Sequence, residues 1–324
     1  MGSDKQIVKM KRKAIIFGIK GTFLTRKERK LIKEDKPWGI ILFSRNISTI
    51  EQLKNLISDI RNEIKDKKFP ILIDQEGGSV SRLNKIIDFS LFSQEFFADL
   101  YRKKKKNFVN YYKIYIDSVC NIFNEVGINI NTVPVLDVKR KTKPPIIGNR
   151  SFSRDPKIVT EIGKICINLY KNNKIATVVK HIPGYGLSKK DSHLYLPVVK
   201  NKKEELLKKD FKPFSDCSSL FAMTAHVIYS MYDPINTATH SKKIINDIIR
   251  GHIGFNGILI SDDISMKALK YNLEKNAIKA LEAGCNLVLH CNGNIKEMKK
   301  LAKIIPTIDK LTQKKTSHFY SFIG

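Results

Sequence analysis

The chain has little cysteine, no long apolar run and far fewer acidic than basic side chains. Its five cysteines, Cys120, Cys166, Cys217, Cys285 and Cys291, are widely spaced, odd in number and free of any CxxC pair. That usage argues against a disulfide framework or a zinc site and for reduced thiols in a cytoplasmic protein. No histidine cluster has metal-ligand spacing either, so no metal is expected. No segment approaches the roughly 20 apolar residues of a membrane span. The basic start, MGSDKQIVKMKRKAIIFGIKG, has only a brief apolar run and no small-residue cleavage pattern, so it does not read as a secretory signal. The first glycine-bearing turn, FGIKGT, lacks the spacing of a dinucleotide-binding fingerprint, and no cofactor is expected.

Charge is abundant, but of one sign. The formal net charge is +28, from 59 Lys and Arg against 31 Asp and Glu. Such a balance ordinarily suggests an anionic partner, and a basic nucleic-acid-binding protein on a degenerate scaffold is one reading. Only 11 of the 59 basic residues are arginine, however, and the lysines are spread along the whole chain. A solvated lysine coat accounts for this better than a nucleic-acid interface, and no specific nucleic-acid partner is expected. The one dense cluster, Arg102 to Lys106, is expected at the exposed start of a helix.

Eight short apolar runs punctuate the chain: Ala14 to Ile19, Gly39 to Phe43, Pro70 to Asp74, Ile128 to Asn131, Ala176 to His181, Phe221 to His226, Gly257 to Asp263 and Leu287 to His290. Near-continuous β-branched runs suit strands buried on both faces. Between them, helical periodicity predicts helices over Thr49 to Lys67, Phe108 to Val126, Pro156 to Asn172, Lys202 to Asp216, Ser241 to Ile253, Lys267 to Ala283 and Ile295 to Ile304. Asp155-Pro156 and Ser241 are helix-starting residues. Strand then helix, repeated eight times, predicts a single (β/α)8 TIM-type barrel rather than a doubly wound open sheet. One domain over residues 1–324 is expected, with 1–12 an N-terminal extension and 305–324 a C-terminal tail.

A barrel gathers its active site at the C-terminal ends of its strands. The ionisable residues fall there: Asp74, Lys180 with His181, His226, and Asp262 with Asp263. Lys180 is open between a Schiff-base nucleophile and a ligand-holding group, and His226 between a hydrogen-bonded core residue and a substrate contact. In IDQEGGSVSRL, Gly77-Gly78 would let the backbone turn closely around a ligand that Asp74 and Arg82 hold by its hydroxyls. Arg150, in IGNRSFSRDP, is either a further clamp or a structural ion pair. KHIPGYGLSKKDSH reads as a mobile loop placing Asp191 and His193 close enough to pair, with its glycines as a hinge.

Taken together, GIKGTFLT, GIILFSRN, IDQEGGSVSRL, NTVPVLDV, IGNRSFSRDP, KHIPGYGLSKKDSH, AHVIYS, ISDDISM and AGCNLVLHCN, in this order, resemble glycoside hydrolase family 3 in its compact bacterial β-N-acetylhexosaminidase branch. The resemblance implies a retaining exo-β-N-acetylglucosaminidase that releases terminal N-acetylglucosamine from cell-wall fragments (muropeptides) in the cytoplasm, as a monomer. It implies Asp262 as nucleophile, His193 as acid/base and Asp191 as its partner, with Asp74, Arg82, Arg150, Lys180 and His181 holding the sugar. A related β-glycosidase or a phosphorylase acting on N-acetylglucosaminides is the alternative enzyme. Ser79, Tyr185, Leu187 and Asn286 depart from the family's pattern, where Arg, His, Asp and Asp are usual.

Overall fold

The computed structural model describes residues 11–141, 146–188, 190–192, 194–217 and 219–324. Within them lie the strands β1 (Lys13–Gly18), β2 (Pro37–Leu42), β3 (Ile71–Ile73), β4 (Ile130–Asn131), β5 (Ala176–Ile182), β6 (Val198–Val199), β7 (Phe221–Thr224), β8 (Ile228–Tyr229), β9 (Ile258–Asp263) and β10 (Leu287–His290). Eight of them close a parallel barrel in the order β1-β2-β3-β4-β5-β7-β9-β10, with β10 pairing back to β1. These are the eight apolar runs of the sequence, and the fold is the expected (β/α)8 barrel. The remaining two, β6 and β8, pair with each other in parallel outside the barrel. They join the connection after β5 to the one after β7, a link that two-residue strands do not announce in sequence.

The helices are α1 (Arg26–Asp35), α2 (Ile50–Ile64), α3 (Gln94–Lys103), α4 (Phe108–Val126), α5 (Pro156–Asn172), α6 (Lys203–Glu205), α7 (Lys212–Asp216), α8 (Leu273–Ala283), α9 (Ile295–Ile304) and α10 (Lys310–Ile323). In α2 the buried residues Leu53, Leu56, Ile57 and Ile60 recur at helical spacing, so one stripe faces the barrel. α5 starts as expected, with the Asp155 side chain accepting from the Lys157 amide and Pro156 in the first turn. The expected Lys202 to Asp216 helix is instead broken into α6, a wider π-type turn over Leu206–Asp210, and α7, with Pro213 in the first turn of α7. The helix expected from Lys267 begins only at Leu273, where Asn272 caps it. The Ser241 to Ile253 segment is π-type over Ile244–His252.

Arg102 to Lys106 lies at the end of α3 and in the turn before α4, rather than at a helix start. Cations there complement the negative end of the α3 dipole. The expected tail, 305–324, contains α10, which lies against the N-terminal ends of the strands. Trp38, buried near the start of β2, donates its indole N–H to Thr316 Oγ1 at 3.0 Å, and its ring lies 6.1 Å from that of Phe319. Burying a phenylalanine such as Phe319 contributes about 1.5–3 kcal/mol. Arg12, at the edge of the expected extension, is buried and bonded to Asp66 and to the Tyr320 hydroxyl of α10. Residues 1–10 lie outside the described residues.

Candidate active site

A cleft of about 220 Å³ opens where the strands end, lined by Asp74, Glu76, Arg82, Arg150, Lys180, His181, Asp191, His226, Asp262 and Asp263 among others. That volume is below the roughly 300–1,000 Å³ of ordinary ligand pockets, and suits one small polar unit. Of the eight residues to which the resemblance gives a role, His193 lies outside the described residues, and the other seven line this one cleft.

One wall is a buried ionic array built on β3 and β5. Lys180 projects from β5 with its ammonium 2.7 Å from Glu76, 3.0 Å from Asp74 and 2.8 Å from the Thr132 hydroxyl. Arg150 grips Glu76 through Nε and a terminal nitrogen, both at 2.8 Å, in a bidentate fork. Asp74 accepts from Thr132 and lies 3.5 Å from Arg82. Burial alone would raise the Asp74 carboxyl, but the Lys180 and Arg82 cations outweigh it and hold the group well below the usual carboxylate range. Burial opposes ionisation of Glu76 as well, and Arg150 and Lys180 still lower it to about 2.

This geometry decides between the readings left open by sequence. With its ammonium spent on three oxygen acceptors, Lys180 is a structural and ligand-facing cation rather than a free Schiff-base nucleophile. Arg150 is the ion-pair partner of Glu76 while still lining the cleft. Gly77 and Gly78, with φ of 85° and 61°, approach the chain's own backbone instead of a ligand. A Cβ on Gly77 would stand 2.2 Å from the Phe92 carbonyl oxygen, and one on Gly78 would stand 2.6 Å from Ser93 Cβ. The turn they permit brings Arg82 back over Asp74, secured by Gln75, whose side-chain oxygen accepts from the Arg82 and Leu83 amides at 2.7 and 3.1 Å. The Arg82 Nε is buried with no hydrogen-bond partner among the described residues, and its guanidinium lies 5.4 Å from the centre of the Phe43 ring.

His181 is fixed by Asp137, whose carboxylate lies 2.7 Å from the ring Nδ1 and also accepts from the His181 and Tyr185 amides. His226 is a core residue at the cleft floor. Its Nε2 lies 3.0 Å from the Asp263 carbonyl and must donate to it, so Nδ1, 2.7 Å from Thr239 Oγ1, accepts. Burial lowers its pKa, in keeping with a neutral ring.

Opposite the array, β9 ends in two aspartates of different character. Asp263 is tied into a turn by the Ser265 amide at 3.0 Å and hydroxyl at 2.8 Å. Among the described residues, the Asp262 carboxylate takes only the Asp263 amide, at 2.7 Å, and it faces the cleft. Sequence reasoning passed over Glu76, Thr132 and Asp137. Glu76 stands two residues beyond Asp74 in the same segment and carried a usable signal. Thr132 and Asp137 carried none, because their roles depend on what β5 brings alongside.

A parallel barrel with a polar cleft of carboxylates and cations at its strand ends is the architecture of a barrel enzyme, whose site gathers at that end. Residues 6–318 match the glycosyl hydrolase family 3 N-terminal domain, and the chain belongs to that family. It is 32% identical over 287 residues to a β-hexosaminidase of Haemophilus influenzae, covering 86% of this chain and 79% of the relative. A β-hexosaminidase of Psychromonas ingrahamii is 31% identical over 316 residues, covering 95% and 89%. Among solved structures, native NagZ from Neisseria gonorrhoeae superposes with a TM-score of 0.85 at 27% identity, covering 95% of this chain and 90% of that one. A family 3 β-N-acetylglucosaminidase from Paenibacillus sp. gives 0.83 at 26% identity; this chain is covered to 95% and spans 60% of that protein. The protein is thus a glycoside hydrolase similar to the β-hexosaminidases.

Proposed function

We propose that the protein is a retaining, exo-acting β-N-acetylglucosaminidase that removes terminal N-acetylglucosamine from cell-wall fragments in the cytoplasm, acting as a monomer. The observation that carries this reading is the two-sided cleft, with hydroxyl-binding charges on one wall and the cleft-facing Asp262 carboxylate on the other. Asp74 accepts from sugar hydroxyls and Arg82 donates to them, while Lys180 holds the sugar indirectly, by keeping Asp74 ionised and in place. Arg150 and His181 complete the wall.

Asp262 attacks the anomeric carbon as His193 gives its proton to the departing glycosidic oxygen, so one C–O bond forms as the other breaks. A water then attacks the glycosyl-enzyme, loses its proton to the now neutral His193, and releases Asp262. An imidazole suits both halves because its ordinary pKa, about 6.5, lies near working pH. Asp191 orients it and favours the protonated form.

The test is hydrolysis of a chromogenic β-N-acetylglucosaminide followed by NMR of the first-formed sugar. The β-anomer is expected, with Asp262 labelled by a fluorinated substrate analogue. First-formed α-anomer, or an active enzyme in which Asp262 is never labelled, overturns the mechanism. Accumulation of sugar 1-phosphate in phosphate buffer would make it a phosphorylase instead.

A further inference from the structure

Tyr185 stands where the family usually carries histidine, inside the segment first read as a glycine hinge. In the structure Gly184 and Gly186 are buried and packed. A Cβ on Gly184 would stand 2.8 Å from the Asp210 carbonyl oxygen, and one on Gly186 would stand 1.9 Å from that of Val138. The Tyr185 amide donates to Asp137 at 2.6 Å, and Tyr229 donates its hydroxyl to the Gly184 carbonyl. This stretch is therefore an anchor and not a hinge.

From that anchor the Tyr185 side chain reaches forward to the residues that follow. Its hydroxyl donates to the Lys190 carbonyl at 3.1 Å and accepts from the Ser192 amide at 2.9 Å. Burial pushes the phenol above its usual value, so the proton needed for the donated bond is retained. Ser188 adds a second bond to the Lys190 carbonyl, at 2.5 Å. On the other side, the Ser192 carbonyl accepts from the Ala268 amide at 3.1 Å, in the connection that follows β9. Asp191 is thus bracketed between the Tyr185 hydroxyl and the strand end that bears Asp262, and both aspartates line the cleft.

We propose that Tyr185 is a positioning residue whose hydroxyl latches residues 190–192 to the rigid end of β5, holding Asp191 and the acid/base function it serves beside Asp262. The inference rests on the acid/base assignment proposed above. A histidine side chain is shorter than the phenol and would not span the same gap, so the departure from the family pattern creates a connection of its own.

The test uses leaving-group chemistry. Tyr185→Phe keeps the buried ring and deletes only the hydroxyl. A 2,4-dinitrophenyl group departs without protonation, whereas a methylumbelliferyl or alkyl group depends more on the acid. For Tyr185→Phe, kcat/KM on the poorer leaving group, which reports the first, acid-assisted step, should fall about 10-fold or more, a fraction of the 100- to 10,000-fold worth of general acid catalysis. On the dinitrophenyl substrate kcat/KM should fall by under about 3-fold, because departure of that group needs no proton. Equal losses on both substrates, or no loss on either, overturn the proposal. Should the variant melt well below the wild type, Ser188→Ala, which removes the second bond to Lys190, should give the same leaving-group dependence in weaker form. Its absence there also overturns the latch. Failure of the parent reading looks different: the wild type itself would show no dependence on the leaving group or no hydrolysis.

Discussion

The two walls of the cleft are built on opposite physical plans. The array on β3 and β5 is buried and ionic, with Lys180 and Arg150 locked onto Glu76 and Asp74 by bonds of 2.7–3.0 Å. The wall that carries Asp191 and Asp262 is held by hydrogen bonds of the Tyr185 and Ser188 hydroxyls and of backbone amides. In the function proposed above, the first wall meets sugar hydroxyls in one geometry, and charges already desolvated and paired do not reorganise when the ligand arrives. In that proposal the second wall exchanges protons, and hydroxyl and amide hydrogen bonds hold the segment that carries Asp191.

The largest effect should come from Asp262→Asn, which removes the proposed nucleophile while leaving the ionic wall intact. Loss of kcat by at least about 1,000-fold is expected, with substrate affinity retained by calorimetry. A loss of affinity of similar size would mean that the two walls are not separable. Lys180→Met attacks the other side. It leaves Asp74 and Glu76 buried without their shared cation, and should destabilise the fold by about 3–5 kcal/mol in denaturant titration. A change below about 1 kcal/mol would show that the array is less dry than the structure indicates. The Tyr185→Phe leaving-group experiment comes next in size and probes the tether itself.

A smaller effect should appear in pH dependence. Glu76 is held at about 2 in the folded protein against an ordinary 4.5, so its contribution to stability is complete above about 4.5 and is lost as pH falls toward 2. Thermal melts of wild type and Glu76→Gln should therefore converge as pH drops through that window. Parallel curves would remove Glu76 from the acid sensitivity of the fold. The smallest effect is expected from Lys103→Gln combined with Lys106→Gln, on the exposed cluster far from either wall. Neither kcat nor Tm, within about 2 °C, should move.

Much of this was legible before any coordinates. Asp155-Pro156 marks a helix start from local chemistry alone, and the eight β-branched runs mark strands because burial on both faces demands apolar residues at every position. Asp74, Lys180 and Asp262 are conspicuous because they are ionisable groups at the ends of such runs. The segment before β7 was less legible: Pro213 was visible inside the expected Lys202 to Asp216 helix, but the wide turn before it, which ends at the buried Asp210 paired with Arg140, was not. The last segment gave no sign that Thr316 and Phe319 would meet Trp38, more than 250 positions earlier.

The sequence by itself thus determined the barrel and the side of it that carries the polar residues, since both follow from local periodicity and residue type, while the family came from the resemblance of its ordered motifs. Only the tertiary structure decided which charges neutralise one another, that Gly77, Gly78, Gly184 and Gly186 serve close packing within the chain, and that Tyr185 ties the Asp191 segment to β5. Those outcomes depend on distances between residues remote in sequence. A hydrogen bond or ion pair exists only within a few ångströms, and periodicity along the chain has no information about that separation.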